Sequence, residues 1–251
     1  MEDTTASFVS LLLCLLPFCL GLLGLAGFGA LLIALVRRAQ RPRGEADRKT
    51  AEQKNRVEVA ALMAEVQPWR PEALADLRQI RQFRYGIFMR QIRARGLIAA
   101  ARGDKQRTWA AFALRGQRVR RGVWAFHGGA LARTSERALA FRAAETGEVA
   151  VRLDGRPLGS IQPDGELRDA AGQPVGQALF AAKDRPAGAV TLRGREAARL
   201  GDIYSRDFSP AVTVTVPFPT PEEQDWLLAL ALWRVVNRAA AQVRYSQAEY
   251  G

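Results

Sequence analysis

Histidine occurs once in these 251 residues, cysteine twice and methionine three times. The single histidine, His127 in "WAFHGG", excludes a histidine-based metal cluster. It also leaves a Ser-His-Asp arrangement with one available base, and no "GxSxG" elbow accompanies it. His127 is therefore read as structural. Cys14 and Cys19 both fall in an apolar N-terminal run, so the remainder holds neither a disulfide framework nor a thiolate metal site. That usage fits a reducing compartment. No "GxxxxGK" loop and no "GxGxxG" opening a helix is present, which removes the common phosphate cradles. Asp202 and Asp207 flank "IYSR" without an evident carboxylate partner. The expectation is a protein without catalytic residues, metal or cofactor.

Acid is scarce through the middle of the chain. Leu77 to Arg142 contains 16 Lys plus Arg and 2 Asp plus Glu, while the whole protein carries +12. Of the 37 basic residues 33 are arginine, part of which reflects coding bias. A basic stretch of this density attracts polyanions, either the anionic inner leaflet of a membrane or nucleic acid.

Charge is missing altogether between Ala6 and Val36, "ASFVSLLLCLLPFCLGLLGLAGFGALLIALV". A helix crossing the bilayer core needs about 20 apolar residues. A cleaved signal peptide is the competing reading, but its n-region is basic and its apolar core runs to about 7–15 residues. Here the n-region is "MEDTTAS" and the apolar run is far longer, so a retained transmembrane helix is expected. Arg37, Arg38, Arg41 and Arg43 follow it, against Glu2 and Asp3 before it. The positive-inside rule then places the N-terminus outside and the rest in the cytoplasm, at the inner cell membrane. Gly21, Gly24 and Gly27 with Ala26 and Ala30 would let two such helices approach, which raises a homodimer as an alternative to a single copy. Membrane tethering favours lipid over nucleic acid as the partner of the basic stretch, since each basic residue near an anionic surface adds roughly 1 kcal/mol.

The organisation expected from here on has four parts. Residues 1–43 form the anchor with its basic flank. Residues 44–70 form a helical linker, in which Val59, Leu62, Met63 and Val66 keep helical spacing. Pro68 and Pro71 break it. Residues 71–96 read as a basic amphipathic helix, because Pro71 and Glu72 suit a first turn and Leu74, Leu77, Ile80, Phe83 and Ile87 mark one face. Residues 97–251 read as a β-domain with short alternating segments, "TVTVPF" being the clearest. Asp154-Gly155, Asp164-Gly165 and Ala171-Gly172 supply tight turns between them.

Three related strings run through that domain: "VRLDGRPLGSI" at 151–161, "LRDAAGQPVGQ" at 167–177 and "LRGREAARLGDI" at 192–203. Each reads as a hairpin of strand, Gly turn and apolar-Gly step. Gly159, Gly176 and Gly201 would mark close backbone approach, and Pro157 and Pro174 strand starts. About twelve antiparallel strands fit the region. The chain then turns to "TPEEQDWLLALALWRVV". Thr220, Pro221 and Glu223 form a helix-start signal, and the run after Asp225 is apolar on all sides. A helix of that kind, about 220–241, must be buried all round. Its 8–11 apolar residues reach only about 12–16 Å at 1.5 Å each, too short to span a bilayer. One solution threads it through a closed sheet; a re-entrant or interfacial helix is the alternative.

Hairpins like "LDGRPLGSI", a last strand "AVTVTVPF" and the apolar "DWLLALALWRVV" helix resemble the tubby C-terminal-like superfamily, which includes LURP-one-related proteins and phospholipid scramblases. The resemblance covers about residues 97–241. It implies a closed twelve-stranded β-barrel around a hydrophobic C-terminal helix. The fold class expected is mainly β with helices: a transmembrane helix and stalk, then that barrel.

The function expected is non-catalytic binding of anionic lipid headgroups at the inner membrane surface. Arg90, Arg93, Arg95, Arg102, Lys105, Arg107, Arg118, Arg120 and Arg121 are the candidate contacts, chosen on charge density. The alternatives are a scaffold docking another membrane protein, and lipid transfer or scrambling.

Overall fold

The computed structural model describes residues 45–88, 90–100, 107–119, 124–180, 188–201, 210–217 and 219–245. The expected transmembrane helix and the topology arginines Arg37, Arg38, Arg41 and Arg43 lie outside the described residues. Within the described residues no helix is long and apolar enough to cross a membrane. Residues 45–251 form one compact unit.

Its centre is a twelve-stranded antiparallel sheet in simple sequence order, with each strand beside the next. The strands are β1 (Gln79–Phe88), β2 (Gln91–Ala99), β3 (Thr108–Arg118), β4 (Phe126–Arg133), β5 (Ala138–Ala143) and β6 (Val149–Leu153). They continue as β7 (Arg156–Ile161), β8 (Glu166–Asp169), β9 (Pro174–Ala178), β10 (Ala189–Leu192), β11 (Arg195–Leu200) and β12 (Val212–Val214). Helix α1 (Glu45–Leu62) precedes the sheet and α2 (Pro221–Tyr245) follows it.

The three related strings are hairpins: β6–β7, β8–β9 and β10–β11. In the first and third the two turn residues both have positive φ, Asp154 at 49° with Gly155 at 83° and Arg193 at 51° with Gly194 at 81°. That geometry matches the strand twist, and a Gly supplies its second position at no steric cost. Gly159 and Gly176 do lie where backbones meet. A Cβ on Gly159 would sit 1.9 Å from the Arg168 carbonyl oxygen, and one on Gly176 2.2 Å from that of Thr191. Pro157 and Pro174 fall at register shifts near the starts of β7 and β9, where a missing N–H breaks no regular ladder.

α2 is the core. Trp226 to Trp233 are all buried, and Val235, Val236, Ala239, Ala240 and Val243 extend that burial. Its partners are the inward residues of the sheet, such as Phe112, Leu114, Phe126, Phe141, Val151, Leu167 and Leu192. Trp233 packs among Trp124, Phe126 and Phe141 at ring-centroid distances of 5.4, 5.6 and 5.4 Å. The helix begins on the expected capping box. The Glu223 amide donates to Thr220 Oγ1, and the Thr220 amide donates to Glu223 Oε2. Arg195 adds a two-pronged contact to the same carboxylate at 2.7 and 3.0 Å. These bonds pull the Glu223 pKa down to about 2, the Arg195 contact being the largest cause.

Three expectations need correction. The sheet is not a closed barrel. Among the described residues β1 and β12 form no ladder, and the two ends meet through one backbone bond, Ala211 N–H to Leu77 O at 2.9 Å. β12 is only three residues long, and the 3-10 turn Pro71–Asp76, not β1, packs against it.

The helix expected over 71–96 is that 3-10 turn followed by β1 and most of β2, so two of the twelve strands come from it. A bulge explains the misleading spacing. Between Arg81 and Arg84 strand β1 carries one more residue than β2, and Gln82 there has φ 47°. The extra residue shifts the two-residue alternation by one, so Ile80, Phe83 and Ile87 mimic a helical stripe.

Finally, the expected linker is no free stalk. α1 lies on the outer face of the sheet, with Val59 buried among Leu97, Ala111 and Ala113 and with Leu62, Met63 and Leu131 packed around them. Asn55 donates Nδ2 to Gly129 O at 3.2 Å, and Arg115 pairs with Glu58 at 2.5 Å. The compact body therefore starts at residue 45, not 97.

Candidate functional site

The long β1–β2 hairpin brings together most of the described candidate arginines. Its register places Arg84 opposite Arg95 and Gly86 opposite Arg93, and the strands close at the pair Phe88–Gln91. Because the β2 residues with even numbers from Ile92 to Ile98 are buried, Arg93 and Arg95 belong to the outer face. Arg84 shares that face through its pairing. Arg93 lies across Gly86, where a Cβ would come within 2.6 Å of its Nε. Gly86 thus leaves room for the guanidinium.

Arg90 sits in the turn, and its carbonyl accepts the Arg118 amide at 2.6 Å, which joins the end of β3 to the hairpin tip. Among the described residues Arg84, Arg90, Arg93 and Arg95 form no ion pair. Like charges directly across a strand pair repel. An anion placed over this face would relieve that repulsion.

Apolar exposure falls at the same tip. Among the described residues the most exposed large apolar side chains are Phe88 at 66 %, Val57 at 61 % and Tyr85 at 49 %. Two of those three belong to β1. The Phe83 and Tyr85 rings lie 5.5 Å apart, and Phe83 and Ile87 pack against the core. The hairpin thus combines an exposed phenylalanine at its tip with cationic flanks. The contacts of α1 fix its direction over the sheet. Asn55 meets Gly129, Glu58 meets Arg115, and Gln67 bonds to Thr108 at the other end of β3. α1 thus runs from the hairpin-tip end of the sheet toward the Ala99 end.

The candidates divide accordingly. Arg90, Arg93, Arg95 and Arg118 gather at the hairpin. Arg107 stands at the opposite end of β3, next to Thr108, which pairs with Ala99. Arg102, Lys105, Arg120 and Arg121 lie outside the described residues. Arg84, Tyr85 and Phe88 are missing from the expected set. The string "QFRYGIFMRQIRAR" carries the signal as alternating aromatic and basic residues, but a helical reading scatters them around a cylinder.

His127 pairs with Gln117 across β3–β4. Burial lowers its pKa from the ordinary value, and Glu145 opposes the shift. Among the described residues no group of three His, Cys, Asp or Glu is placed to hold a metal.

No family model matches the chain, and no curated protein or solved structure matches it.

Proposed function

We propose that this chain is a membrane-anchored, non-catalytic binding protein whose cytoplasmic β-body contacts anionic lipid headgroups at the inner membrane surface. The observation that carries the reading is the β1–β2 tip, where exposed Phe88 stands with Arg84, Arg90, Arg93 and Arg95, which have no carboxylate paired to them among the described residues. Four arginines at a membrane surface contribute about 4 kcal/mol at roughly 1 kcal/mol each. Burying a phenylalanine in the interfacial region adds about 1.5–3 kcal/mol. Together these hold a body that the uncharged run at 6–36 already keeps near a bilayer. Twelve antiparallel strands around a buried C-terminal helix also support reading the body as tubby C-terminal-like.

Co-sedimentation of residues 45–251 with phosphatidylcholine vesicles, with and without phosphatidylserine, tests the proposal. Binding should require phosphatidylserine, weaken as salt shortens the roughly 10 Å screening length at 0.1 M, and fall with Arg90→Glu and Arg93→Glu. A folded fragment that ignores phosphatidylserine at low salt would sink it, and docking of another membrane protein would become the better reading.

A further inference from the structure

On the other side of α1 from the hairpin, the helix and the outer face of β4–β6 enclose a groove of about 550 Å³. Its floor is small and apolar: Gly129, Ala138, Ala140 and Ala150, with Val59 and Leu131 at the side. Its rim is cationic, with Arg56 from α1, Arg133 from β4, Arg142 from β5 and Arg152 from β6. Among the described residues Glu52 is the one carboxylate in the lining.

None of these arginines is neutralised by a carboxylate among the described residues. Among the described residues Arg56, Arg133 and Arg142 form no ion pair, and Arg152 donates to the Gly155 carbonyl. Register makes two of them neighbours. Ala140 pairs with Arg152 and Ala150 with Arg142, so alanine and arginine alternate as on a checkerboard. Diagonal positions of that kind are about 7–8 Å apart. A phosphate or carboxylate between the two guanidiniums would accept from both, the geometry arginine favours.

The floor restricts the rest of the ligand. β5 is laddered to β4 on one side and β6 on the other, so no free strand edge is offered to an added peptide strand. The volume falls in the roughly 300–1,000 Å³ range of small-molecule sites. Asn55 is buried at 2 % exposure and ties α1 to Gly129, which fixes the wall.

We propose that this groove binds a single-chain anionic amphiphile. The acyl chain lies on the Gly–Ala floor, and its carboxylate or phosphate is held by Arg142 and Arg152 with Arg56 and Arg133 at the rim. The inference does not rest on the hairpin, which lies across α1 from it.

The full-length chain in phosphatidylcholine nanodiscs provides the test. Three probes carry the same photoreactive acyl chain: lysophosphatidate, the free fatty acid and lysophosphatidylcholine. Adducts are mapped by peptide mass spectrometry. Lysophosphatidate, the fatty acid or both should label residues 52–60 and 129–152, well above lysophosphatidylcholine, and which anion labels identifies the headgroup. Arg142→Gln with Arg152→Gln should reduce those adducts about tenfold, as loss of charge-assisted contacts to an anion does. Ala140→Met fills the floor without changing charge and should remove them as well; melting curves verify that both variants fold. Equal labelling by the zwitterionic probe, or labelling that survives both variants, overturns the proposal. Labelling confined to residues 79–99 overturns it too while leaving the headgroup reading intact. A fluorescent acidic peptide that binds where no lipid adduct forms overturns it in favour of a protein ligand.

Discussion

Trp233→Ala should be among the most damaging single changes in this protein. The indole is fully buried near the middle of α2, ringed by Trp124, Phe126 and Phe141. Removing a buried tryptophan costs about 3–5 kcal/mol through lost transfer energy and the cavity left behind. Three aromatic contacts, each about 0.5–1.5 kcal/mol beyond area burial, push the value toward the upper end. Trp233→Phe should behave differently. It keeps a ring against all three neighbours and deletes the Nε1–H, which has no hydrogen-bond partner among the described residues. An unsatisfied buried polar group costs about 1–3 kcal/mol, so its removal offsets much of the lost volume. The net change should stay below about 1.5 kcal/mol.

Urea unfolding of residues 45–251, followed by circular dichroism, separates the two. With a slope of about 2 kcal/mol/M, Trp233→Ala should lower the midpoint by about 2 M and Trp233→Phe by less than about 0.7 M. A midpoint shift under about 0.5 M for Trp233→Ala, well short of a cavity penalty, would refute the enclosure of α2 by the sheet.

Three further substitutions probe the helix start and the β6–β7 hairpin. Glu223 has a folded pKa near 2 against 4.5 for the ordinary group, so its contribution is complete above pH 4.5 and is lost as pH falls toward 2. Glu223→Gln should lower stability at neutral pH and flatten the acid limb of a stability–pH curve over that window; an unchanged limb would contradict the capping role. Gly159→Ala places a Cβ against the Arg168 carbonyl at a residue with φ 150°, and should cost about 1–3 kcal/mol by thermal or urea unfolding. Gly155→Ala meets no atom within 4 Å despite its φ of 83°, so it should cost less.

Much of the β-body was legible because its hairpins announce themselves locally. Asp154-Gly155 and the Gly159 and Gly176 steps demand conformations or spacing that other residues resist, so sequence and structure coincide there. α2 was legible for a different reason: a helix apolar on every side has no stable place except inside something, and the twelve strands supply it. The region 71–96 was not legible. The bulge at Gln82 exists only relative to β2, and periodicity within one segment cannot register an extra residue opposite a partner strand.

Closure failed on the same ground. The 3-10 turn before β1 occupies the approach to β12, a contact between residues more than 130 positions apart in sequence. Charge density singled out Arg90, Arg93, Arg95 and Arg118, which the fold gathers at the β1–β2 hairpin. It missed Arg84 and Phe88, whose shared face depends on the bulged register. The groove rim was out of reach because Arg56, Arg133, Arg142 and Arg152 come from four elements and meet only once α1 docks. Arg115 shows the converse: it has the same charge but is already paired with Glu58.

The most direct test of the central claim is the immersion depth of position 88 in the full-length protein. Phe88→Cys, in a background with Cys14→Ser and Cys19→Ser, takes a nitroxide label, and Glu136→Cys provides a control on the β4–β5 turn at the opposite end of the sheet. Accessibility of each label to oxygen and to a polar nickel complex is compared in phosphatidylcholine nanodiscs with and without phosphatidylserine. The label at 88 should enter the bilayer interface with phosphatidylserine and leave it at high salt, while the label at 136 should stay in water throughout. A label at 88 that remains in water in both lipids would contradict the central claim.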